Sequence, residues 1–166
     1  MRKLKLLGIA AVLGAAATSP IAWAQDAFDA CEVFTAADAE KALGVPAAAP
    51  VEPVNPKAKL PPKRPKVIPI CTYSGFKEGK PVAARAEFRF AKTEADAQKA
   101  FDDARMHFQT KPLLIAGGEA FWAGKTGQLH VRKGRTWVTL QVGGAPLQER
   151  DISDARKLGE ILVKKM

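Results

Sequence analysis

Two cysteines, Cys31 and Cys71, bracket a stretch that cannot form regular structure, and this arrangement limits the chain more than any other feature. Eight of the 12 prolines fall between Val45 and Pro69, at positions 46, 50, 53, 56, 61, 62, 65 and 69. Proline fixes φ and removes the donor that a helix or ladder needs, so this density favours an extended, polyproline-like excursion. The core must then come from the segments on either side of it. A bond between the two cysteines would tie the excursion at its base.

Whether the cysteines pair depends on the compartment, and the N-terminus speaks to that. Arg2, Lys3 and Lys5 precede an apolar run from Leu6 to Ala17, and Ala22-Trp23-Ala24 stands just before the polar Gln25-Asp26. A basic region, a short apolar region and a small-x-small site are the three parts of a signal peptide, with cleavage expected after Ala24. The apolar run is shorter than the roughly 20 residues that a spanning helix needs, and Pro20 interrupts it. Cys31 lies seven residues past Ala24, too far for a lipobox. The expected location is the periplasm or the exterior. An exported chain with an even cysteine count is read first as disulfide-bonded, and closing a loop of about 40 residues contributes roughly 4 kcal/mol in the chain-entropy model. Free thiols or half a metal site are the alternative, but no His or Cys lies at ligand spacing to either cysteine. Residues 1–24 are thus the leader, and residues 25–166 have a length that suits one domain.

Patterning assigns that domain to the α+β class. Thr35 caps a short helix with Asp38 in the capping-box position and Gly44 at its end. Ile70–Ser74 and Val82–Phe90 read as a hairpin turning around Lys77–Lys80; Ala84, Ala86, Phe88 and Phe90 point one way, and Arg85, Glu87 and Arg89 the other. Thr93 caps a second helix carrying the stripe Ala97, Phe101, Ala104 and Phe108, which ends before Lys111-Pro112. Three strands follow, around Ala120–Trp122, Gln128–Arg132 and Trp137–Val142, and a helix from about Ile152 to Lys164 closes the chain, burying Ala155, Leu158, Ile161 and Leu162. The expected architecture is one antiparallel sheet of about five strands with two to three helices packed on one face. Residues 35–43 and 93–101 share six of nine positions. Two alanine-rich capped helices arriving at the same solution explain this better than duplication does.

Catalytic patterns are missing. Ser74 and Ser153 are the serines after the leader, and neither stands in a nucleophile elbow. His107 and His130 lack an i, i+4 partner, and Met106-His107 lacks the further ligands that copper would need. Gly124-Lys125-Thr126 is not a phosphate loop, because the upstream glycine is misplaced and a strand follows it. Asp102-Asp103 reads as a solvated helix face. No cofactor, metal or catalytic residue is assigned.

The formal net charge of +9 falls to +6 without the leader's three cations, and residues 46–69, with Lys57, Lys59, Lys63, Arg64 and Lys66 against Glu52, hold +4 of that. The excess is thus confined to the excursion in an exported chain, which argues against nucleic acid as a partner. Two surfaces remain as candidates. The outward sheet face, with Arg85, Arg89, His130, Arg132 and Trp137, suits a small ligand or an envelope protein, unless a helix or the excursion covers it. The basic excursion suits weak contact with anionic lipid or polymer, or serves only as a linker.

The elements Cys31-Glu-Val-Phe-Thr35, Ala42-Leu-Gly44, Cys71-Thr-Tyr73, Gly117–Trp122 and Leu129–Gly134 together resemble small exported or lipoprotein-type bacterial domains of unknown function. The resemblance implies pairing of a cysteine before the first helix with one in the following strand. It carries over no catalytic residue, and this chain departs from the pattern by its proline-lysine insertion and by lacking a lipobox.

Overall fold

The computed structural model describes residues 28–49, 67–108 and 110–166. The expected leader, residues 1–24, and the lysine-bearing part of the excursion, with Lys57, Lys59, Lys63, Arg64 and Lys66, lie outside the described residues. Two-residue strands β1 (Phe28–Asp29) and β2 (Val67–Ile68) pair in parallel. Between them in the chain come helices α1 (Ala30–Val33) and α2 (Ala36–Leu43). Then follow β3 (Ile70–Lys77), β4 (Lys80–Phe90), α3 (Glu94–His107), β5 (Thr110–Ile115), β6 (Gly118–Ala123), β7 (Gln128–Lys133), β8 (Thr136–Gly144) and α4 (Ile152–Val163).

One antiparallel sheet runs in the order β3-β4-β8-β7-β6-β5. It holds six strands where the sequence suggested about five. The strand that patterning missed is β5, because Lys111-Pro112 reads as a break. At a sheet edge the missing proline N–H faces solvent and leaves no ladder bond unmade, so Pro112 is tolerated there and discourages pairing with another chain. The β3–β4 turn places Glu78 and Gly79 both at positive φ (53° and 76°), the geometry that matches hairpin twist.

The first face of the sheet carries the main core. Cys71, Tyr73, Ala84, Ala86, Phe88, Leu129, Val131, Val138, Leu140 and Val142 are buried beneath α1, α2 and α4. α4 contributes Ala155, Leu158, Leu162 and Val163, and it approaches β7 closely because residue 159 is glycine. A Cβ there would stand 2.8 Å from Ile115 Cδ1 and 3.1 Å from Leu129 Cδ2. Val163 is buried and Ile161 only partly so, a small rotation from the expected stripe.

Asp38 does more than cap α2. Its carboxylate accepts from the Thr35 N–H at 2.9 Å and the Thr35 hydroxyl at 2.7 Å, and it also pairs with Lys165 beyond the end of α4. Lys165 donates in addition to the Val33 carbonyl at 3.0 Å. Burial alone would raise this carboxyl's pKa, but the Lys165 ammonium and the two Thr35 donors outweigh burial and hold it below the ordinary value. The C-terminal helix is thereby fixed to the N-terminal one.

The Cys31–Cys71 disulfide is formed, joining α1 to β3 across 40 positions. Beside it Phe28 packs its ring 5.3 Å from Phe88 and 4.6 Å from Phe90. The disulfide and the β1–β2 pair together close the base of the excursion.

The expectation of helices on one face alone is corrected. α3 lies on the second face, where Phe101 packs with Phe121, Ala123 and Trp137 in a separate cluster. The reason is that Phe121 on β6 and Trp137 on β8 point to that face as large apolar groups, so it needs a cover of its own. The two helices of similar sequence, α2 and α3, share a Thr-x-x-Asp start, with Thr93 Oγ1 accepting from the Asp96 N–H at 3.1 Å. They cover opposite faces, which suits independent capping better than a repeated unit.

Replacing both cysteines (Cys31→Ala with Cys71→Ala) should lower unfolding stability by about 2–4 kcal/mol in denaturant titration. Stability equal to the parent's would show that the disulfide is not what holds α1 to the sheet.

Candidate functional site

The second face is divided into a covered half and an open half, and the five expected binding residues are split between them. His130, Arg132 and Trp137 are buried, at 3%, 6% and 6% exposure. Arg85 and Arg89 on β4 remain half-exposed. Of the two alternatives left open by the sequence, an exposed face and one covered by a helix, each holds for part of the face: α3 covers His130, Arg132 and Trp137 and leaves Arg85 and Arg89 half-exposed.

In the covered half Phe121 stacks on His130 with centroids 4.5 Å apart, and Phe108 from beyond α3 stacks at 5.7 Å. Trp137 Nε1 donates to His130 Nδ1 at 3.3 Å, and the Thr139 hydroxyl lies 3.4 Å from the same nitrogen. Nδ1 is thus an acceptor, so the neutral ring carries its proton on Nε2. Burial, reinforced by the Arg89 guanidinium and only partly opposed by Glu87, pushes the His130 pKa down from 6.5 to about 4. This histidine is a neutral core residue at pH 7.

Arg132 is a clamp. It donates to the Gly134 carbonyl at 2.9 Å, pairs with Glu119 on β6 and lies 3.6 Å from Glu94 at the start of α3. Gln98 continues the network, donating to Asp102 at 2.9 Å and to Glu119 at 3.3 Å. These polar bonds fix the angle at which α3 lies on the sheet.

At the boundary Arg89 stacks on Trp137 with its guanidinium carbon 4.9 Å from the ring centroid, and it donates to Glu87 at 2.8 Å. Arg85 is held less firmly, its nearest Glu87 oxygen 3.7 Å away. Arg85 lies opposite Gln141, and Ala83 lies opposite Gly143. β8 then leaves the sheet through Gly143 and Gly144, turns at residues 147–149, and returns so that Arg150 bridges to Gly143. A hollow of about 230 Å³, lined by Ala83 and Gly143 among others, opens beside this pair. Arg85, Gln141, Arg150 and Ser74 surround it, with Pro81 and Ala145 at its end. Its lining includes two cations and no acid. A second, mostly apolar groove of about 260 Å³ lies near the other end of β4, between Val67, Pro69 and Phe90.

Sequence reading placed Gln141 on the same outward face as Arg85 but missed Arg150 and Ser74 as its neighbours. The one local hint was the double glycine 143–144, since the rest depends on β4–β8 register. The remaining sequence candidates are dispersed: Met106 and His107 are exposed at the end of α3, and Gly124–Thr126 forms a β6–β7 turn in which the Thr126 N–H donates to the Ala123 carbonyl at 3.1 Å. Among the described residues no group of three or more His, Cys, Asp or Glu converges. No family model, curated protein or solved structure matches the chain.

His130 carries a directional test. Its folded-state pKa lies below its unfolded value, so its contribution to stability is intact above pH 6.5 and is lost as the pH falls through about 4. The loss should total about 3 kcal/mol. Urea titrations at stepped pH should show that decline, and His130→Phe should flatten it. A parent curve already flat between pH 6.5 and 4 would contradict the buried neutral imidazole.

Proposed function

We propose that the protein is an exported, non-catalytic binding module of the bacterial envelope that takes its ligand or partner on the open half of the second sheet face. The observation that carries this reading is the cleft bearing Arg85 and Arg150, with no acid in its lining, on a sheet joined to its helices by a disulfide. Positive charge lining a concave site is a standing attraction for an anionic group, and a rigid sheet places that charge at small entropic cost. The binding surface is therefore β4 and the end of β8, in place of the whole face expected from alternation.

Export is supported by the leader-like N-terminus and by the disulfide, a bond that persists in oxidising compartments. Among the described residues no helix is long and apolar enough to cross a membrane. The resemblance to small exported bacterial domains points the same way. Binding is favoured over catalysis because Ser74 is the one hydroxyl residue lining the cleft and no histidine or carboxylate lines it with Ser74. A cofactor has no evident place in this reading.

A second reading assigns the protein to anionic lipid or polymer surfaces through its basic excursion. One placement favours it. Ala48, just before that segment, exchanges backbone hydrogen bonds with Ser74 at 3.0 and 2.9 Å, and Val67, just after it, lines the groove beside Arg89. The described residues on either side of the segment therefore lie against Ser74 and Arg89 of the open half.

Mass spectrometry of what co-purifies with the mature protein from its native envelope fraction tests the first reading. Arg85→Ala combined with Arg89→Ala should remove the associated species while leaving the melting temperature within a few degrees. Unchanged association would refute an open-face site. If instead only deletion of residues 57–66 removes it, together with salt-sensitive binding to anionic vesicles, the excursion is the interaction surface.

A further inference from the structure

The shape and lining of the arginine cleft narrow what it can hold, given that the open face is the binding surface. Its floor is Ala83 and Gly143, two of the smallest residues, side by side across the β4–β8 ladder. Gly143 cannot gain a side chain here: its φ is 121°, and a Cβ would stand 2.3 Å from the Glu149 carbonyl oxygen. The glycine thus makes room for the returning Glu149–Arg150 backbone, which brings Arg150 to the lining of the hollow. Its volume, about 230 Å³, is below the range of roughly 300–1,000 Å³ found for drug-sized ligands, so the occupant is a small molecule or the tip of a larger one.

The chemistry of the walls is divided. Arg85 and Arg150 supply guanidinium groups, Gln141 an amide and Ser74 a hydroxyl, whereas Pro81, Val82 and Ala145 are apolar. Arg150 is positioned by donating to the Thr126 carbonyl. Among the described residues it makes no ion pair, and Arg85 has only its long contact to Glu87 at 3.7 Å. Both cations therefore keep donors for an incoming anion. The planar fork of a guanidinium matches a carboxylate in two parallel bonds. Beyond the arginines, only Gln141 and Ser74 among the lining side chains offer donors to a phosphate's further oxygens, and Pro81, Val82 and Ala145 offer none. The hydrocarbon of an organic acid would instead be covered by them.

We propose that this cleft binds a small organic acid by its carboxylate, set against Arg85 and Arg150, with a short apolar body lying against Pro81, Val82 and Ala145. The test is calorimetric or NMR titration of the mature protein with hexanoate, methyl hexanoate and inorganic phosphate. Hexanoate should bind, and the ester and phosphate should bind at least roughly tenfold more weakly, the scale of a charge-assisted hydrogen bond. Arg85→Ala should weaken hexanoate by a similar factor. Ala83→Leu, which fills the floor without changing charge, should do the same, and Lys99→Ala on exposed α3 should leave it unchanged. Failure of hexanoate to bind, indifference to both cleft variants, or phosphate binding as tightly as hexanoate would overturn the assignment. If hexanoate fails while the species from the native envelope is still lost with Arg85→Ala and Arg89→Ala, only the carboxylate assignment falls and the open-face reading stands.

Discussion

A sheet strand that is buried on both sides has to be covered twice, and β8 is such a strand from Trp137 to Leu140. Val138, Leu140 and Val142 point into the main core, while Trp137 and Thr139 on the other side are also buried. Helices α1, α2 and α4 cover the first face, and α3 alone is available for the second. α3 packs over Phe121 and Ala123 of β6 and Trp137 of β8 and leaves Arg85 and Arg89 of β4 half-exposed. The open half of the second face is what remains after one helix is spent on the strands that need it most.

The polar residues under α3 show how the cover is made specific. Burying Phe101, Phe121 and Trp137 contributes roughly 2 kcal/mol for each ring, but such contacts alone would let the helix slide. Arg132, held between the Gly134 carbonyl and Glu119 with Glu94 close by, allows one placement. Opposite, Asp38 does the same for the first face by joining the start of α2 to Lys165 beyond α4. Each buried charge thus joins elements that are remote in sequence or on different strands, and the disulfide adds a covalent third tie between α1 and β3. The site benefits because β4, which presents Arg85, lies between the strand carrying Cys71 and β8.

Local chemistry made much of this visible in the sequence. Thr35, Asp38 and Gly44 set out α2 because capping is decided within a few residues. The alternation Ala84-Arg85-Ala86-Glu87-Phe88 set out β4, and the two cysteines of a chain with an export-like leader identified their only partner. Face assignment was harder. Leu129-His130-Val131-Arg132 alternates as a half-exposed strand would, and nothing within four residues says that the polar side lies beneath a helix. The clue was on other elements: Phe121 on β6 and Phe101 on α3 are large apolar groups that needed partners on that side. The cleft was less legible still, because it exists only where β4–β8 register sets Ala83 beside Gly143 and the chain returns with Arg150. A stability or pattern rule reads a double glycine as a turn, not as the floor of a hollow.

The division of one face into a helix-covered and an open half is the claim on which the functional account stands, and arginine accessibility measures it. Brief reaction of the native mature protein with phenylglyoxal, followed by peptide mass spectrometry, reports each guanidinium separately. The account predicts rapid modification of Arg85 and Arg89, whose side chains are 43% and 38% exposed, and protection of Arg132 at 7%. Modification of Arg132 as fast as that of Arg85 would mean that α3 does not cover the second face, and the site would have to be sought elsewhere.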